Sequence, residues 1–250
     1  MTLFGRKIPV VFSLAIWFFA WELIGRAGWS TIVPPVSSVL EAGITVLGTD
    51  KFSAAALISL RSFAIGMALA LVTGIPLGFA MARLPGVGRL LGMWVNIFVS
   101  APISALVPIL MAVIGIGETT VVVTVYLFAV FVIVLDTQVG VKHADRSLVE
   151  MARSFGARRR QIYVHVLILS ALPEILAGVR LGAIRGVKGV VIGQLLVAII
   201  GVGELFELYS QHFLMEEFWA LVIVVFLFAF AVSEAIAALE RRVEYYASAR

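Results

Sequence analysis

Six apolar runs set the terms for this chain, at about 8–25, 60–81, 90–114, 119–141, 176–200 and 218–239. The hydrocarbon core of a bilayer is about 30 Å thick, and roughly 20 helical residues cross it. Inside lipid a lone segment has to satisfy its own backbone, so each run is predicted to be helical. That includes 119–141, whose Val- and Ile-rich composition favours a strand in water. Composition agrees: the 250 residues are 62% hydrophobic and 14% charged, against about 25% charged in soluble domains. The expectation is a single all-α polytopic membrane domain over 1–250 with about six transmembrane helices.

The spans carry interruptions that limit how they pack. The first follows Arg6 and Lys7 and holds Trp17, Trp21 and Glu22. It exceeds the ~7–15-residue core of a signal peptide and lacks an A-x-A-like cleavage site, so it is expected to stay as a span. Glu22 is read as snorkelling to the interface. Pro34-Pro35 then excludes a helix, and Ser37 or Ser38 is placed to cap a short amphipathic helix through Val39, Ala42, Val46 and Leu47. Gly74-x-x-x-Gly78 in the second span suits close helix packing, and Pro76 beside it is expected to kink the helix. In the third span Asn96, Ser100 and Ser104 recur at i, i+4 and i+8, a polar stripe that faces either another helix or a wet pathway.

The fourth span ends near Asp136 and Gln138, read as interfacial, and the fifth carries Arg180, Arg185 and Lys188 in its first half. Lys188 lies roughly 15–18 Å along that helix, deep for a cation. It is a candidate pathway residue, together with Asn96, Ser100, Ser104 and Gln194, for a polar or anionic solute. An ion pair with Asp136 or Glu234, or snorkelling, accounts for it equally well.

Charge is sorted by side. Six spans place both termini together, and that side collects Arg6, Lys7, Arg83, Arg89, Lys142, Arg146, Arg153, Arg158, Arg159, Arg160, Arg241, Arg242 and Arg250. The other side holds Arg26, Lys51 and Arg61, with the acidic segment Glu204, Glu207, Glu216 and Glu217. The positive-inside rule puts the termini in the cytoplasm. The net charge of +4 therefore reports topology, with no nucleic-acid partner implied. With no cysteine there is no thiolate chemistry, and His143, His165 and His212 lack metal-ligand spacing.

The long polar interval between the fourth and fifth spans, Ser147 to Pro173, falls on the cytoplasmic side. Leu148, Met151, Ala152 and Phe155 follow i, i+3, i+4, i+7, which predicts a short helix with one apolar face. Asp145 or Ser147 is its cap, Gly156 its stop, and a second helix starts near Arg158. Glu150 either completes a capping box with Ser147 or takes part in docking. Arg158, Arg159 and Arg160 either follow the charge bias and touch lipid headgroups or do the same. A helix of two turns is marginal alone in water, so it needs a surface.

The stretch Glu150-Met-Ala152-Arg-Ser-Phe-Gly156, followed by Val166-Leu-Ile168-Leu169, resembles the EAA loop (E-A-A-x3-G-x9-I-x-L-P) of ABC importer membrane subunits. Val33-Pro34-Pro35, Ser59-Leu-Arg61, Gly74-Ile-Pro76-Leu-Gly78, Gly115-Ile-Gly117-Glu118 and Ala177-Gly178-Val-Arg180 resemble the permeases for sulfonate, taurine, nitrate and thiamine-precursor uptake. The resemblance implies a type I importer permease in the bacterial inner membrane, with 142–175 as a cytoplasmic coupling loop. It implies that Glu150, Met151, Ala152, Phe155, Gly156, Ala157 and Arg158 dock on an ABC ATPase dimer, which binds ATP and Mg; none is expected on this chain. It further implies a second permease copy and an extracytoplasmic solute-binding protein. Met151 replaces the motif's first alanine, and Leu169 its proline, for which Pro173 is the substitute turn residue.

The chain has no G-x-x-x-x-G-K-[ST] phosphate loop, so no ATPase activity is expected of it. An intramembrane enzyme is a rival class, but the histidines fall in loops or at their borders. An ion-coupled secondary transporter is another, and it calls for repeats and midplane carboxylates, where only Glu234 qualifies.

Overall fold

The computed structural model describes residues 2–3, 6–7, 10–143, 146–197 and 199–248, so that Asp145 and Arg250 fall outside it. After a two-residue antiparallel pair, β1 (Thr2–Leu3) with β2 (Arg6–Lys7), the described chain is helical. Its helices are α1 (Val10–Arg26), α2 (Val36–Leu47), α3 (Asp50–Arg83), α4 (Pro85–Ser100), α5 (Val107–Ile114) and α6 (Glu118–His143). They continue with α7 (Arg146–Ser154), α8 (Arg159–Gln161), α9 (Ile168–Val197), α10 (Gly201–Gln211) and α11 (Met215–Ser248). A 3-10 turn (Ile103–Leu106) joins α4 to α5, and a π-helical turn (Ile162–Leu167) joins α8 to α9.

Small residues decide what sits at the centre. α6 packs between α3 and α9, and its Val121, Val125, Ala129, Ile133 and Val134 are shut off from solvent. On α3 a Cβ added at Gly66 would stand 2.6 Å from the Val125 side chain, and one at Gly78 would stand 2.5 Å from the Val134 carbonyl. On α9 a Cβ at Gly182 would meet Ile133 at 2.8 Å. The approach of three backbones depends on those missing side chains, which is how helices associate where no hydrophobic force separates side chain from lipid. The glycine spacing on α3 is thus used for packing. Pro76 sits inside α3, which stays one helix from Asp50 to Arg83.

Several boundaries differ from the sequence expectation. α3 begins ten residues before Leu60, because Thr49 Oγ1 accepts from the Phe52 N–H at 3.2 Å and caps it. Neither Ser37 nor Ser38 caps α2. Its first turn is held by Glu22, whose carboxylate accepts from Ser37 N (3.0 Å), Ser37 Oγ (2.8 Å) and Arg26 Nε (2.6 Å). Glu22 therefore staples α1 to α2. Asp136 and Gln138 face inward: Asp136 lies against Gly178 of α9 and interacts with Arg185, while Gln138 Nε2 reaches the Met81 carbonyl at 3.5 Å.

Among the described residues, four helices are long and apolar enough to cross a membrane: Asp50–Arg83, Glu118–His143, Arg159–Val197 and Met215–Arg241. The third apolar run is bent. Pro85–Ser100 and Ile103–Ile114 meet at 94°, the geometry of a broken span or of a re-entrant loop, so the described residues hold four long apolar helices and at most five spans of this kind. The break follows from Pro102, which forces the preceding Ala101 into an extended conformation (φ −71°, ψ 145°). α1, expected as a sixth span, is described over 17 residues, about 25 Å of helix. The second helix of the polar loop and the fifth span are one continuous run, Arg159–Val197, 39 residues long. Pro173 lies within α9 and makes no turn there, so the substitute-turn role given to it does not hold.

Candidate functional site: an unpartnered helix and a lone cation

α7 carries the feature that the fold leaves open. It runs from Arg146, one position ahead of the Ser147 cap, and ends as Gly156 takes φ +79°. The Gly156 N–H donates to the Arg153 carbonyl (2.9 Å) and the Ala157 N–H to the Ala152 carbonyl (3.0 Å). This pair of bonds closes the helix with glycine in the left-handed position, which a side chain disfavours. Arg158 then opens the next helix, its N–H donating to Gln161 Oε1 at 2.8 Å. The loop turns sharply on Gly156-Ala157.

On α7 the apolar face is turned away from the protein. Phe155 is 85% exposed, Met151 53% and Leu148 40%. Ala152 is half-buried, and Glu150 and Arg158 are exposed. The motif residues Glu150, Met151, Ala152, Phe155, Gly156, Ala157 and Arg158 thus gather on one short unit. Three large apolar side chains in water cost free energy that only a partner recovers, at about 1.5–3 kcal/mol per side chain fully buried.

The five residues named from sequence as a pathway do not form one group. Asn96 and Ser100 are exposed on α4, and Asn96 Nδ2 donates to its own-turn Gly92 carbonyl at 2.8 Å. The break at Pro102 puts Ser104 in the 3-10 turn, so the i, i+4, i+8 stripe ends at Ser100. Gln194 is wholly buried. Its Oε1 accepts from Ser59 Oγ at 2.8 Å and the Gly203 N–H at 3.4 Å, while Ser59 Oγ accepts from the Val202 N–H at 3.0 Å. Ser59 and Gln194 therefore pin the first turn of α10 between α3 and α9. Ser59 lies 135 residues from Gln194, so no local sequence pattern joins them.

Of the three deep cations of α9, Arg180 makes a salt bridge, its Nη1 pairing with Glu240 at 3.0 Å. Arg185 is near enough to Asp136 for the charges to attract, without a salt bridge between them, and Glu234 pairs with Arg241 at 3.6 Å. Among the described residues no salt bridge is made by Lys188, and its side chain is exposed. Of the two acids proposed to neutralise it, Glu234 is paired with Arg241, and the opposite charge acting on Asp136 is that of Arg185.

A bundle of long apolar helices, with a short helix outside it whose apolar side chains are exposed, fits a membrane-embedded protein. Residues 74–245 match the model of the binding-protein-dependent transport system inner membrane component, and the chain belongs to that family. It is 30% identical over 215 residues to the taurine transport system permease protein TauC of Escherichia coli, covering 84% of this chain and 78% of that one. With the putative aliphatic sulfonates transport permease protein SsuC of the same organism it shares 28% over 221 residues, covering 85% and 84%. An inward-facing structure of the MetNI methionine ABC transporter superposes with a TM-score of 0.66 at 20% identity, covering 77% of this chain and 96% of that chain. The protein is an inner-membrane ABC importer permease with several spans, and the enzyme and secondary-transporter alternatives are not favoured.

Proposed function

We propose that this permease carries a small anionic solute inward, driven by a separate cytoplasmic ATPase dimer that binds ATP and Mg and docks on α7. The carrying observation is α7 itself: Leu148, Met151 and Phe155 lie exposed on one side, and the glycine stop leads into the continuous helix Arg159–Val197. Movement of a docked α7 passes through that rod to the depth of Lys188. In this reading the α7 end and the termini face the cytoplasm, as the charge bias requires. Two copies surround the pathway, since one docking loop per chain serves one ATPase. An extracytoplasmic binding protein delivers solute to the other end.

Lys188 supports the anion. An unpaired ammonium deep in a span is costly in lipid, so it faces a wet pathway or a second copy. Relatives named for taurine and aliphatic sulfonates handle solutes with a sulfonate group. The test is co-purification with candidate ATPases. Gly156→Trp is expected to abolish assembly and uptake, and uptake that persists without any ATPase contradicts the reading.

A further inference from the structure

Beneath α7, lined by its Val149, Glu150 and Arg153, lies a cavity of about 350 Å³. Its size is within the ~300–1,000 Å³ of small-molecule sites. Four elements build it: Ala82 and Arg83 end α3, Val141 and Lys142 lie near the end of α6, Val149, Glu150 and Arg153 come from α7, and Leu167 comes from the π turn. Val141 and Leu167 are buried and form an apolar wall. Arg83, Lys142 and Arg153 form a cationic rim, with Glu150 as the one carboxylate. Among the described residues no salt bridge joins Glu150 to any of the three cations. Arg83 is held by the Tyr163 ring, 5.3 Å from its centroid.

We propose that this cavity is a binding site for the headgroup of an anionic glycerophospholipid, seated between the docking helix and the ends of the spans. Cations from three different elements converge here on one hollow, whereas a general charge bias needs no shared cavity. Arg83 closes α3 and Lys142 is next to last in α6, so the rim lies where spans leave the hydrocarbon and lipid phosphates reside. The phosphate takes the three cations, the Glu150 carboxylate accepts from headgroup hydroxyls, and the acyl chains leave along the Val141 and Leu167 wall. Glu150 argues for a headgroup with donors and against a bare phosphate dianion, which it would repel. The bound lipid ties α7 to α3 and α6, in addition to its covalent link to α9.

The experiment uses the complete transporter, permease with its ATPase, in nanodiscs of phosphatidylcholine with or without phosphatidylglycerol. Lipid retained on extraction is read by native mass spectrometry, and Lys142 is read by its rate of acylation. Phosphatidylglycerol is expected to be retained and to slow acylation of Lys142 but not of Lys51. Lys142→Gln and Arg153→Gln are each expected to weaken retention about 5-fold, the scale of one cation at an anionic surface. Arg89→Gln, an exposed cation outside the cavity, is expected to leave it unchanged. If Lys142→Gln fails to assemble, the acylation arm on the unaltered protein decides. Equal loss in Arg89→Gln, Lys142 acylation that phosphatidylglycerol does not slow, or protection by inorganic phosphate equal to that by lipid would each overturn the proposal.

Discussion

Phe155, the residue just past the end of α7, is more exposed than Met151 or Leu148, and its neighbour Gly156 makes the turn that presents it. Phe155→Ala is expected to weaken ATPase binding by about 10- to 100-fold, the equivalent of about 1.5–3 kcal/mol of lost burial. Titration of the purified ATPase against the permease measures it, and an unchanged affinity removes Phe155 from the interface. Gly156→Val is expected to cost about 1–2 kcal/mol for a left-handed φ, whereas Gly156→Asn costs less because asparagine tolerates that region. Comparing loop proteolysis of the two variants separates strain from lost contact. Lys188→Met is expected to lower uptake at least about tenfold with ATPase assembly intact. Normal uptake by that variant ends the pathway role of Lys188. Gln194 belongs to a different test: Gln194→Leu leaves the Gly203 N–H unsatisfied, for which about 1–3 kcal/mol of stability is lost.

Between elements, the seam of α3 and α6 is the stiffest part of the design. Gly78→Val forces a side chain into the Val134 carbonyl and Thr137, and overpacking of this kind costs about 1–3 kcal/mol. Thermal unfolding in detergent is expected to show the loss; a stability equal to the parent's means that the two helices separate freely. Much of this level was legible beforehand. Apolar length located the long helices, and Gly74-x-x-x-Gly78 marked a packing face. Gly156 announced its own turn, since a single residue's backbone freedom sets it. What stayed hidden depended on partners distant in sequence. Glu22 reads as interfacial until Ser37 is seen bonded to it, and Gln194 reads as a pathway residue until Ser59 is seen donating to its Oε1. The bend at Pro102 was readable as an interruption, but its 94° angle depends on how the two halves pack.

Across the whole molecule, one helix connects the two ends of the account. Arg159–Val197 begins at the docking loop and passes Arg180, Arg185 and Lys188, with α6 along its length and the Arg180–Glu240 pair joining it to α11. Between α7 and the interior lie the sharp Gly156-Ala157 turn and the π turn at Ile162–Leu167, beyond which α9 is continuous to Val197. The central claim is that α7 is the face that meets the ATPase. The chain contains no cysteine, so a single Phe155→Cys places the only thiol on that face. Co-expressed with the ATPase and treated with a short reagent that joins a thiol to a lysine amine, Phe155→Cys is predicted to form a permease–ATPase adduct, while Trp29→Cys, 84% exposed and outside the α7 loop, forms none. A fully active transporter in which Trp29→Cys cross-links to the ATPase and Phe155→Cys does not would contradict the account.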